Sequence, residues 1–127
     1  MVTGVVTVNR EAVILLKVHG PEATEQQIEA VIDTGFDGSL SLPPEVITQL
    51  GLQWSRRGRA LLANGSDCVF DIYEGTVLWD GKLRRIAVDE APTAPLIGMA
   101  LLHGYELNVH VRSGGSVTIN ALPFREG

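Results

Sequence analysis

The chain is broken by turn signals too often to hold a long helix. Its apolar runs are strand-length, and each ends at a turn: Val2–Val8 before "NRE", Ala12–Val18 before Gly20-Pro21, and Gln27–Ile32 before "DTG". Further on, Ala60–Ala63 and Cys68–Tyr73 flank Asn64-Gly65, and Thr76–Trp79 and Leu83–Val88 flank Asp80-Gly81. Both dipeptides are those that two-residue hairpins favour. Tyr105–Val111 and Ser116–Leu122 flank "RSGG". Runs of this length and punctuation pair as meander strands. Two stretches read otherwise. "PPEVITQLG" opens on Pro43-Pro44, carries Glu45 in its first turn and ends on Gly51, which predicts a helix of about two turns. Val46, Ile47 and Leu50 would share its buried face. Gly98–His103, ended by Gly104, predicts a second short helix. The expected fold is all-β, a closed, barrel-like sheet with two short helices.

With 127 residues the chain can bury one core, so a single domain over residues 1–127 is expected. A net charge of −5 argues against nucleic acid as a partner, because phosphate contacts need a basic face. The clustered Arg56, Arg57, Arg59, Arg84 and Arg85 read as the solvated rim of a sheet. One cysteine, Cys68, allows neither an internal disulfide nor a cysteine zinc site. No run approaches the ~20 apolar residues of a membrane span. With no leader-like start to the sequence, the expected setting is the cytoplasm.

Against this background "AVIDTGFDGSLSLP", Ala30 to Pro43, stands out. It delivers Asp33 and Asp37 onto a glycine turn directly after an apolar strand, where a carboxylate is costly without a partner. A calcium loop would fit Asp33, Asp37 and Gly38 but leaves Gly35 and Pro44 at two ligand places. A phosphate loop lacks its lysine. His19, His103 and His110 share no ligand spacing, so no metal is expected. An ordinary turn, with Asp33 and Thr34 bonding backbone amides, fits these three residues taken alone.

The wider pattern is two apolar residues, then Asp33-Thr34-Gly35, then a serine-rich strand and a short helix. Some way downstream a second apolar pair and glycine, Leu96-Ile97-Gly98, opens another short helix. This combination resembles the retropepsin-like aspartic proteases, the single-domain branch of the pepsin-like clan. Phe36 after the motif glycine resembles the small prokaryotic members that read "DTGF". The resemblance runs from about Ala12 to Ile119.

In that family the aspartate of Asp-Thr-Gly is catalytic, which maps onto Asp33. The chemistry needs two such carboxylates sharing one proton, and this chain carries one such motif. The resemblance therefore implies a homodimer with one Asp33 from each subunit at a two-fold axis. Thr34 would bond across the dimer, and Gly35 would let the substrate backbone approach. A flap hairpin from about Arg59 to Tyr73 would cover a peptide or unfolded-protein substrate, with Ala63, Asn64, Gly65 and Ser66 at its tip. Phe36 and Asp37 would border the substrate. No cofactor is implied.

Two departures from the family pattern carry weight. The arginine that commonly follows the second motif glycine is replaced by Met99, which leaves Asp37 without its familiar partner. Phe36 stands where the family usually has Ala or Ser, so it narrows or closes the cleft. An alternative is a non-catalytic module that keeps the fold and binds peptides or proteins. A further alternative is a monomeric β domain whose motif match is coincidental.

Overall fold

A computed structural model describes residues 1–123; residues 124–127 of the expected domain lie outside that range. The strands form one ten-stranded sheet. It begins with β1 (Val2–Val6), β2 (Ala12–His19) and β3 (Glu25–Ile32), which pair as an antiparallel meander. On β2, Ile14, Leu16 and Val18 are buried while Leu15 and Lys17 face water, the two-residue period of a strand with one face on a core.

After β4 (Leu40–Leu42) comes α1 (Pro44–Leu50), bounded as its sequence predicts. Pro44 occupies its first turn, and Gly51 at φ 66° takes the left-handed conformation that ends it. The Gly51 N–H donates to Thr48 O at 3.0 Å and the Leu52 N–H to Ile47 O at 3.2 Å, so two terminal carbonyls are satisfied. Ile47 and Leu50 face the core.

The next three strands are β5 (Gln53–Leu61), β6 (Asp67–Trp79) and β7 (Lys82–Glu90), and they differ from expectation in three ways. First, β5 starts well before Ala60 and includes the arginine-rich stretch. It is the outer edge of the sheet, where charged side chains blunt an unpaired strand. Second, Cys68–Tyr73 and Thr76–Trp79 are one continuous strand, and Gly75 is a packing glycine within it. A Cβ there would lie 3.0 Å from Val88 Cγ2, so its absence lets β6 lie close on β7. Third, Asp80 and Gly81, at φ 52° and 78°, form the two-residue turn as expected, but Asn64-Gly65 does not. Only Gly65 there has a positive φ, and the Gly65 N–H donates to Leu62 O at 2.9 Å. The result is a three-residue loop with glycine in the left-handed place.

The chain ends with β8 (Leu96–Ile97), α2 (Met99–Leu102), β9 (Tyr105–Val109) and β10 (Ser116–Ala121). The strand order is β5-β6-β7-β4-β8-β3-β2-β1-β10-β9. A further pairing of β6 with β2, through Val18↔Val77 and His19↔Thr76, joins β2-β3-β8-β4-β7-β6 into a barrel-like ring. Fully buried Val18, Leu40, Val77, Val88 and Ile97 from this ring meet Leu50 of α1 and Leu101 of α2 in one core. Outside the ring, β1 pairs within the chain to β10. Among the described residues, no helix is long and apolar enough to cross a membrane.

Ile97 is 0% exposed at the centre of the ring. The Ile97→Ala variant is expected to lose about 3 kcal/mol of unfolding free energy. Urea titration checks this, as a lower midpoint with an unchanged slope.

Candidate active site

The site is built by the short strand β8. It runs parallel to β3, with Val31↔Leu96 and Ile32↔Ile97 in register, and antiparallel to β4, with Leu40↔Ile97 and Ser41↔Leu96. The β3–β4 loop, residues 33–39, must therefore arch over the end of β8. Backbone bonds clamp it there. The Asp33 N–H donates to Ile97 O at 2.9 Å and the Gly98 N–H to Ser39 O at 3.1 Å. At the start of α2, the Met99 N–H donates to Phe36 O at 2.8 Å and the Ala100 N–H to Gly38 O at 3.1 Å. The two motifs singled out in the sequence are thus one hydrogen-bonded unit.

Within the loop, the Asp33 carboxylate accepts the Gly35 N–H at 2.9 Å, and the Phe36 N–H donates to Asp33 O at 3.1 Å. Thr34 and Gly35 are exposed, and the Thr34 hydroxyl has no hydrogen bond among the described residues. Asp33 is partly exposed beside them.

Phe36 packs inward instead of standing across the loop. A Cβ on Gly98 would lie 2.6 Å from Phe36 Cδ2 and would also strike Gly38 O, and one on Gly38 would lie 2.5 Å from Phe36 Cζ. The ring thus lies over both glycines, and it borders an open groove of about 570 Å³. Phe36, Asp37 and Leu96 line the groove together with Val69 and Phe70 of β6. The groove brings Phe36 and Asp37 together with the β5–β6 hairpin. It does not include Asp33, Thr34 or Gly35, nor the exposed tip of Ala63, Asn64, Gly65 and Ser66. At that tip, Asn64 Oδ1 accepts the Ser66 N–H at 3.0 Å and the Ser66 hydroxyl at 2.6 Å.

Met99 is 49% exposed, and Asp37 forms no ion pair among the described residues. An arginine nevertheless grips α2 from elsewhere. Arg84 on β7 donates to Leu101 O and Ala100 O, each at 3.2 Å. What stands beside Asp37 is a second acid, Asp89, at the end of β7. Burial, then the Asp37 charge, push the Asp89 carboxyl above its ordinary value of 3.8, and Arg56 partly opposes them. Asp89, Glu90 and Ser41 all line the groove. Local sequence reading missed them, since only strand pairing brings "SLP" and "VDEAP" together.

No protein-family model and no curated protein matches the chain. The solved structure of a retropepsin-like aspartic protease from Rickettsia conorii superposes with a TM-score of 0.57 at 16% identity, covering 96% of this chain and 91% of that one. At that identity the likeness defines the fold, and the chain has the retropepsin-like fold.

Two outcomes follow for stability. Gly98→Ala is expected to cost about 2–3 kcal/mol, since the added methyl meets backbone as well as the Phe36 ring; chemical denaturation reads it. For Asp89 the sign is set by its raised carboxyl. Between 3.8 and its higher folded value, the native chain holds a proton that the unfolded chain releases, so stability falls as pH rises through that window. Asp89→Asn is therefore expected to be more stable than wild type at neutral pH and to lose that advantage below the ordinary carboxylate value, as thermal unfolding across pH would show.

Proposed function

We propose that the chain is a homodimeric aspartic endopeptidase that hydrolyses peptide bonds with water activated between Asp33 and its copy. The observation that carries this reading is the clamped loop itself. Four backbone bonds from β8 and α2 fix Asp33 beside an open groove, and the described surface leaves its neighbours Thr34 and Gly35 uncovered. A single such loop supplies half of a dyad, so a second copy completes it. In the completed site one carboxylate takes a proton from water as the water attacks the scissile carbonyl. The other, protonated, donates to the carbonyl oxygen. Sharing one proton is what two like charges at contact distance require.

The substrate in this reading is an extended peptide segment that adds a strand between the floor of the groove and the β5–β6 hairpin, which acts as the flap. Thr34 of each subunit bonds across the axis. A cytoplasmic setting goes with the reading, Cys68 being a free thiol. One observation favours a second reading, a peptide-binding module without turnover: Met99 replaces the arginine that would steady Asp37.

Hydrolysis of denatured protein at mildly acidic pH separates the two. The enzyme reading expects activity that a statine-type inhibitor blocks, that falls on dilution as dimers part, and that drops by roughly 10⁴-fold in Asp33→Asn. Equal activity of wild type and Asp33→Asn, or no cleavage by either at any pH, would contradict it.

A further inference from the structure

The groove beside Phe36 is lined by two unlike sets of residues. One set is apolar, and each of its phenyl rings lies over a glycine: Phe36 over Gly38, and Phe70 over Gly58, where an added Cβ would be 2.6 Å from Phe70 Cζ. The lining also carries the acids Asp37, Asp71, Asp89 and Glu90. Some acids of the neighbouring strands are paired, among them Asp71, which also lines the groove. Asp71 meets Arg57 at 3.6 Å and accepts Trp54 Nε1–H at 3.0 Å, while Asp67 meets Arg59 and Glu74 meets Arg85. Among the described residues, Asp37, Asp89 and Glu90 form no ion pair and no side-chain hydrogen bond. The Asp89 carboxylate and the tip of the Phe36 ring both come close to Gly38, where a Cβ would lie 3.2 Å from Asp89 Oδ2 and 2.5 Å from Phe36 Cζ.

Ser41 is an independent sign. It pairs in register with both Asp89 and Leu96, so the three side chains share the groove face. It is 4% exposed, and its Oγ has no hydrogen-bond partner among the described residues. A buried hydroxyl left unpaired beside uncompensated carboxylates marks polar groups whose partners the described residues do not supply. No group of three or more His, Cys, Asp or Glu side chains among the described residues could hold a metal ion. The carboxylates line a wall and do not converge on a point.

We propose that this groove is a specificity subsite for a basic side chain of the bound peptide. The stem of a Lys or Arg lies along Phe36, Phe70 and Leu96, and its head stands among Asp37, Asp89 and Glu90 within reach of Ser41. Long basic side chains suit such a groove because they bury their methylenes and keep a polar head, and a cation over a phenyl face gains further attraction. The group that opposes this is Arg56, which faces Asp89 from exposed β5 and is displaced by the incoming cation. The proposal rests on the groove being the peptide site, but not on turnover.

Binding to the Asp33→Asn chain tests it apart from catalysis. Fluorescence anisotropy would compare otherwise identical peptides with Lys, norleucine or Glu scanned through each position. At one position Lys is expected to bind roughly tenfold tighter than norleucine, with Glu weakest, a preference that fades at high salt. Asp89→Asn should erase most of that ratio, and Asp37→Asn, at an exposed position, provides the same readout should the first variant fold poorly. Equal affinity for Lys and norleucine at every position, or no binding of any peptide, overturns the subsite. The cleavage assay with wild type decides hydrolysis separately.

Discussion

A strand of two residues holds the rest in place. Leu96–Ile97 is hydrogen-bonded between β3 and β4, and the glycine after it lets α2 begin against the Asp33 loop. Remove that strand and the loop loses its backbone partners, the ring of strands loses a member, and the core loses Ile97. The same threading explains why the glycines are where they are. Gly98 sits against Gly38 O and the Phe36 ring, so any side chain there would push the loop away from its support. Arg84 adds a side-chain tie from β7 to the end of α2. Rigidity at the loop is thus supplied by backbone and core, and the missing arginine after Gly98 does not leave α2 unheld.

The groove shows the opposite tendency. Phe36 and Phe70 lie back over glycines and leave space between them. Asp89, half-buried and next to Asp37, is held at an energetic cost, visible as a carboxyl raised by burial and by its neighbour. Ser41 adds an unpaired hydroxyl, worth about 1–3 kcal/mol if left so. Uncompensated polar groups gathered at one place raise the cost of the fold there, a cost that the proposed binding of a basic side chain would offset.

Much of this was legible in the residues. Pro43-Pro44 and Gly51 bounded α1 because capping is local chemistry, and Asp80-Gly81 formed its turn for the same reason. The pairing of Asp33-Thr34-Gly35 with Leu96-Ile97-Gly98 was legible only through family resemblance, since nothing local links segments that far apart. Where tertiary packing decided, local reading failed. Gly75 reads as a break but is a close-packing point within β6. The arginines before Ala60 read as a rim, and they are one, yet they also belong to a strand. Asp89 and Glu90 gave no local signal, because their meaning comes from facing Asp37 and Ser41 across paired strands.

The central claim is that two copies of this chain build one active site from their Asp33 loops. A crystal structure of the assembled protein, with the same assembly verified in solution, measures it directly as the separation of the two Asp33 carboxylates. The account predicts carboxylates about 3 Å apart, close enough to share a proton. Carboxylates beyond the reach of one bridging water, or a chain that stays monomeric at high concentration, would contradict it.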